Sequence, residues 1–321
     1  MTDAAFDSLS PALLPERFAA WFSGRGWSLR PHQARLLEKA AERRSVLLVA
    51  PTGAGKTLAG FLPTLIDLAA REGRPKLAPT ARGVRRKGIH TLYVSPLKAL
   101  AVDVARNLER PIAEIGLSIT VETRTGDTPA HKRQRQKFDP PDVLMTTPEQ
   151  VALLLASREA PDLFGALDTV IFDELHALVT SKRGDLLALD LARLRRLAPG
   201  LRAVGLSATV KDPDELAAWL TAQEPGEARR QADVVTAPAG AAPSIEILTG
   251  EARIPWAGHL AVHAVPAVLA AIASARTTIV FVNTRAQAEL VFQELWSAND
   301  AGLRIALHHG SLDVAQRRPE R

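Results

Sequence analysis

Short apolar runs recur along the chain, and each closes on a small or polar turn from which a stretch with helical spacing begins. The runs lie at residues 45–50, 89–95, 119–123, 143–146, 169–172 and 201–206. Their near-continuous hydrophobicity predicts strands buried on both faces, and the helical stretches between them predict crossovers. Alternation of this kind predicts an α/β fold on a parallel sheet, with ligands bound outside the carboxyl ends of the strands. Ahead of the first strand, Phe6, Leu9, Leu13, Leu14, Phe18, Trp21 and Phe22 suggest a lead-in of short amphipathic pieces. After residue 219 the chain turns to Pro, Gly, Ala and mixed charge, which places a boundary near residue 238 and domains at 1–238 and 239–321. In the second part, 244–248 would start the domain, 266–273 reads as a helix, and 277–283 and 304–308 read as strands.

The turns at the strand ends are where chemistry is expected. The first run opens into Pro51-Thr52-Gly53-Ala54-Gly55-Lys56-Thr57, and helical spacing follows over 58–70. Glycines let a backbone wrap phosphate oxygens with its N–H groups pointing inward, and the helix N-terminus adds its dipole. Thr52, Gly53, Ala54, Gly55, Lys56 and Thr57 are therefore candidates for holding ATP, with Lys56 reaching the β- and γ-phosphates and the Thr57 hydroxyl ligating Mg²⁺. Ala50 stands where the strict form of this motif has glycine. Upstream, the Gln33 amide suits an adenine edge, but it equally suits the start of a helix; Trp27 either stacks on a base or joins the core.

The run 169–172 delivers Asp173-Glu174-Leu175-His176. Two adjacent carboxylates at the end of a buried strand form the second half of a nucleotide site. Asp173 would hold Mg²⁺, Glu174 would orient or deprotonate the attacking water, and His176 would sense the γ-phosphate or simply begin a helix. Ser207 and Thr209, at the end of the last run, can relay nucleotide state by hydrogen bonding toward the acidic pair. The remaining strand ends form a polar rim. Pro96 and Lys98 open a helix after 89–95 with the geometry of a phosphate site; Arg124 and Gly126 follow 119–123, and Thr147 follows 143–146. The basic stretch 71–87 reads as an insertion, either a solvated loop or a further nucleic-acid contact.

Composition narrows the picture in three places. A net charge of +5 is compatible with a polyanionic partner. Cysteine is absent, which excludes disulfides and thiolate metal sites. Residues 1–10 carry Asp3 and Asp7 without a basic residue, and the longest apolar stretch, 261–273, is interrupted by His263 and Pro266; neither a secretory signal nor a membrane span is expected, and a cytoplasmic protein is. The neighbours His308 and His309 would point to opposite faces of a strand, so they are not expected to share a metal.

Taken in order, Gln33, residues 50–57, 96–100, 125–127, 147–149, 173–176 and 207–209 resemble the first motor domain of superfamily 2 DEAD/DEAH-type helicases. Residues 6–14, 95–100, the acidic box and 278–285 resemble the Lhr branch, the large helicase-related proteins, and 254–259 is similar to its bacterial ligase-associated DEXH-box members. The resemblance implies a RecA-like ATP-binding domain followed by an incomplete second RecA-like domain. It implies a nucleic-acid-dependent ATPase that moves 3′ to 5′ on single-stranded DNA and unwinds duplexes, in DNA repair, as a monomer. It also assigns Pro96, Lys98, Arg124, Gly126 and Thr147, with Thr284, Arg285 and Gly310 of the second domain, to the nucleic-acid backbone, and His176, Ser207 and Thr209 to coupling. The later motifs of the family, including its arginine finger, have no counterpart, so the chain is expected to be C-terminally truncated and, alone, to bind ATP but hydrolyse it poorly; such an arginine is worth roughly 10³–10⁵ in rate. The alternatives are a non-catalytic ATP- and nucleic-acid-binding module, or an unrelated phosphate-loop enzyme such as a small-molecule kinase, which would leave Ser207 and Thr209 unexplained.

Overall fold

The computed structural model describes residues 13–72, 88–208, 210, 212–238, 244–248 and 264–309. The basic insertion over 73–87, the stretch 254–259, Thr209 and Gly310 lie outside them. The chain divides into two compact units, Met1–Ala241 and Ala242–Arg321.

In the first unit, α1 (Glu16–Gly24) and α2 (Pro31–Ala41) precede β1 (Val46–Val49), α3 (Lys56–Ala70), β2 (Thr91–Val94), α4 (Lys98–Ile115), β3 (Val121–Arg124) and α5 (Ala130–Phe138). Then follow β4 (Val143–Thr146), α6 (Pro148–Leu155), α7 (Ala160–Phe164), β5 (Thr169–Phe172), α8 (Leu175–Val179), α9 (Lys182–Leu197), β6 (Arg202–Ser207), α10 (Pro213–Trp219) and β7 (Asp233–Thr236). The strands form one sheet in the order β3-β4-β2-β5-β6-β1-β7. Every pairing is parallel.

Period-two alternation divides the apolar runs between two cores. Val46 and Leu48 join Tyr93, Ile171, Val204 and Leu206 beneath α1 to α4. Leu47 and Val49 join Leu92, Val94, Val170, Phe172 and Ala203 beneath α6 to α10. Side chains that alternate across a strand must be apolar at both parities when helices cover both faces. One position in the middle of the sheet cannot carry a side chain. A Cβ on Gly205 would lie 2.7 Å from Leu175 and 2.8 Å from Leu220, so glycine in β6 lets α8 settle on the sheet directly after the acidic pair.

Two buried carboxylates behave in opposite ways. Asp168, just before β5, accepts from Arg43, from Arg202 at 2.9 Å and from Thr169 at 2.8 Å. Burial would raise its carboxyl, but these donors outweigh burial and hold it well below the usual carboxylate range. Asp67 and His90 lie close by, paired at 2.7 Å. Asp67, His90 and Asp168 bring ligand atoms within 4.8 Å of one another, but the guanidinium groups already neutralise Asp168, and the cluster ties the amino ends of β2, β5 and β6 together. Asp190 in α9 is fully buried, and neither of its oxygens has a hydrogen-bond partner among the described residues. Burial pushes its carboxyl up to about 6, only partly opposed by Arg193 at 3.8 Å.

The second unit contains α11 (Val265–Ser274) and α12 (Arg285–Ser297), whose first turn is capped by the Thr284 hydroxyl accepting from Gln287 N at 3.2 Å. Helix α11 covers the helix expected at 266–273. The strands expected at 277–283 and 304–308 are not formed. Ile279 and Phe281 are 72% and 88% exposed. An extended apolar segment becomes a strand only through ladder bonds and burial supplied by neighbours, and these segments have no ladder partner among the described residues.

Burial opposes the ionisation of Asp190. Its carboxyl is raised from 3.8 to about 6, so ionisation costs the folded state up to about 3 kcal/mol. That cost is absent below the unfolded pKa, grows as pH rises, and is complete above the folded one. Asp190→Asn is expected to stabilise the fold by about 1–3 kcal/mol at pH 8, with the gain vanishing toward pH 4, as checked by thermal unfolding across that range.

Candidate functional site

Strand β1 ends on Val49, and Ala50 N extends its pairing to Ser207 O at 3.0 Å. The chain then turns through Gly53 and Gly55, with φ of +81° and +77°. Both values fall in the left-handed region that glycine adopts without strain. At Gly53 a Cβ would meet nothing within 4 Å, so backbone angle rather than space demands glycine there. Three groups brace the loop from below: His32 Nε2 lies 3.0 Å from Ala54 O, Arg30 donates to Gly53 O at 3.4 Å, and Gln33 Nε2 lies 3.3 Å from where a Gly55 Cβ would be. Helix α3 starts at Lys56 with no acidic residue in its first turn. Its positive end is left for an anion.

The acidic pair meets this loop. Asp173 N continues the β5 ladder to Val94 O at 2.9 Å. One Asp173 oxygen accepts from Glu174 N at 3.0 Å, and the other accepts from the Tyr93 hydroxyl. Glu174 takes φ +46° and ψ +45°, a left-handed conformation that costs a residue with a side chain about 1–2 kcal/mol. That turn brings its carboxylate to 3.9 Å from Lys56 Nζ and 3.5 Å from His176 Nε2. The other His176 nitrogen lies 3.0 Å from Ser207 Oγ. Lys56, Glu174, His176 and Ser207 thus form one line of polar contacts across the ends of β1, β5 and β6. The hydroxyl of Thr57 and the carboxylate of Asp173 are hard oxygen donors of the type Mg²⁺ takes, beside a loop open to phosphate; the residues fit that ion.

The rim residues fall on the same edge because all strands run the same way. Lys98 Nζ pairs with Asp127 at 2.9 Å and lies 3.3 Å from where a Gly126 Cβ would be. Thr147 is buried at the N-cap of α6. Arg124 departs from expectation. It is only 6% exposed, and its guanidinium donates to Arg133 O at 2.7 Å. Burial lowers its pKa, but the group serves as a bolt for α5 rather than as a surface contact. Gln33 is likewise buried; its Oε1 accepts from Arg30 N at 3.0 Å, so it starts α2 while lying against the loop. Trp27 sits with Arg25 and Trp21, its ring 4.9 Å from the Arg25 guanidinium. In the second unit, Thr284 caps α12 and Arg285 is exposed.

Comparison with known proteins agrees with this geometry. The DEAD/DEAH box helicase family matches residues 30–216. The chain belongs to that family. Among its relatives, the Lhr helicase/uracil glycosylase of Escherichia coli is 37% identical over 89% of this chain and 20% of that protein. The ATP-dependent helicase Lhr-Core protein 2 of Thermococcus barophilus is 32% identical over 94% of this chain and 35% of its own length. The structure of Mycobacterium smegmatis helicase Lhr bound to ssDNA and AMP-PNP superposes with a TM-score of 0.72 and 35% identity, over 94% of this chain and 39% of that one. The chain is thus similar to Lhr helicases, its first unit has the RecA-like fold, and it spans well under half the length of these relatives.

One residue of this helicase unit escaped the sequence reading. Arg183, at the start of α9, donates to Glu149 at 2.5 and 3.2 Å and to Pro96 O at 2.9 Å. It fastens the turn after β2 to the turn after β4, and both to the helix that follows the acidic box. Burial acts to raise the Glu149 carboxyl, and hydrogen bonds from Arg183, from its own backbone amide and from Thr147 together hold it below its ordinary value. The available signal was Gly184 beside it, where a Cβ would lie 2.4 Å from Leu178 O; a glycine that close to α8 fixes where the arginine emerges. Arg183→Ala is expected to speed amide exchange at Leu97 to Leu100 and at Glu149 to Val151 at least several-fold, while the stability of the unit changes by less than about 1 kcal/mol because the pair is half exposed. Exchange mass spectrometry with a denaturation curve checks both.

Proposed function

We propose that this chain is the ATP-binding part of an Lhr-type motor that couples ATP hydrolysis to movement along single-stranded DNA, 3′ to 5′, in DNA repair. The observation that carries the reading is the 3.9 Å approach of Lys56 to Glu174 at the mouth of the phosphate loop, with His176 bridging Glu174 to Ser207. The DNA track draws support from the ssDNA held by the M. smegmatis Lhr structure; the polarity and the repair role rest on the resemblance. The division into a motor domain at 1–238 and an incomplete second one at 239–321, a monomeric state and a cytoplasmic location belong to the same proposal. No helix among the described residues is long and apolar enough to cross a membrane.

The chemistry follows from charge. Without nucleotide, the Lys56 ammonium is held by Glu174. A triphosphate in the loop, bound by the backbone amides from Thr52 to Thr57, draws Lys56 onto its β- and γ-oxygens and releases the Glu174 carboxylate. Glu174 is then free to orient water and accept its proton. Thr57 and Asp173 would hold Mg²⁺, which when bound neutralises charge on the phosphate oxygens. Gln33 braces the loop from the adenine side. His176 changes partners with Glu174 and passes that change to Ser207, while Pro96, Lys98, Gly126 and Thr147, with Thr284 and Arg285 of the second unit, hold the phosphodiester backbone.

Steady-state ATPase with and without single-stranded DNA tests the reading. Lys56→Ala is expected to abolish nucleotide binding, and Glu174→Gln to retain binding while lowering DNA-stimulated turnover about 10²–10³-fold. Nucleotide binding with no DNA-stimulated turnover would reassign the chain as a binding module.

A further inference from the structure

Tyr93 is the chain's single tyrosine. It lies in β2 with no exposed surface, its ring 5.3 Å from that of Phe61 in α3. Phenylalanine would fill the same space. A hydroxyl buried there is unfavourable unless it finds a partner, and the partner it finds is Asp173. The register explains the reach: Tyr93 pairs with Ile171, and Asp173 stands two residues further along the neighbouring strand, on the diagonal a tyrosine can span. The hydroxyl donates to that carboxylate, which as an acceptor fixes the direction of the bond. The Glu174 amide binds the other Asp173 oxygen at 3.0 Å. Each oxygen is therefore fixed by one donor, and the carboxylate has a single orientation before any ligand arrives.

We propose that Tyr93 is a positioning residue of the nucleotide site, its hydroxyl holding the Asp173 carboxylate in the orientation that presents its free lone pairs to Mg²⁺. This rests on the reading of Asp173 as a metal ligand. Partners behind a metal ligand are typically worth about 10–100-fold in metal affinity. Tyr93 also lies three residues before Pro96, so the strand that orients the metal ligand is the one that ends in the Pro96 turn.

The test compares the unmodified 321-residue chain with Tyr93→Phe and Asp173→Asn, reading binding of a fluorescent ATP analogue in EDTA and during a Mg²⁺ titration. Tyr93→Phe is expected to leave affinity in EDTA unchanged and to raise the half-saturating Mg²⁺ about 10-fold. If Asp173→Asn raises that midpoint and Tyr93→Phe does not, Tyr93 is only a core filler and the proposal fails. If neither variant moves it, the reading of Asp173 fails and takes the proposal with it. Folding of the variant is not required for the second arm. With a ¹³Cζ-tyrosine label, the one resonance of the unmodified chain is expected to shift when Mg²⁺ is added to the nucleotide-bound protein, and an unmoved resonance overturns the proposal.

Discussion

The parallel sheet, covered on both faces, is the constraint from which the rest follows. The strands are four to six residues long, and the five inner ones contribute apolar side chains alternately to two cores. Burying each large side chain is worth about 1.5–3 kcal/mol, and that burial holds the strands in register. Because every pairing is parallel, every strand delivers its following turn to one edge. Polar residues separated by more than a hundred positions along the chain thereby meet without any local signal between them.

The strand order then divides that edge by task. β3, β4 and β2 lie side by side and carry the turns with Gly126, Thr147 and Pro96. β5, β6 and β1 lie side by side and carry Asp173, Ser207 and the phosphate loop. Adjacent β2 and β5 join the two groups, and there Tyr93 reaches Asp173 while Arg183 ties the neighbouring turns together. Strain is spent at one residue of this edge: Glu174 holds a left-handed backbone that only the packed surroundings maintain. The opposite edge is tied by ion pairs around Asp168, which buries an acid with its donors, in contrast to Asp190, which buries one without them.

Much of the fold was legible because its causes are local. Period, run length and turn chemistry marked six of the seven strands of the first unit, and the order Gly-x-Gly-Lys-Thr followed by Asp-Glu marked the candidate nucleotide site. Arg124 and Arg183 were not legible. An arginine at a strand end and one at a helix start look alike in sequence; Arg124 is turned inward onto the Arg133 carbonyl of α5, and Arg183 is aimed outward onto two turns. Nor were the apolar segments at 277–283 and 304–308 decidable, since local pattern records a preference for strand but not whether a neighbour is there to pair.

By itself, then, the chain determined which residues alternate, which turns must be glycine, and which side chains are candidates for phosphate and proton chemistry, since these depend on backbone angles and functional groups within a few residues. The tertiary structure alone decided which of those groups meet. Lys56 beside Glu174, His176 beside Ser207 and Tyr93 behind Asp173 are products of strand order and register. Those are set by the packing of the whole sheet against its two layers of helices, a balance of many distant contacts that no short stretch of sequence contains.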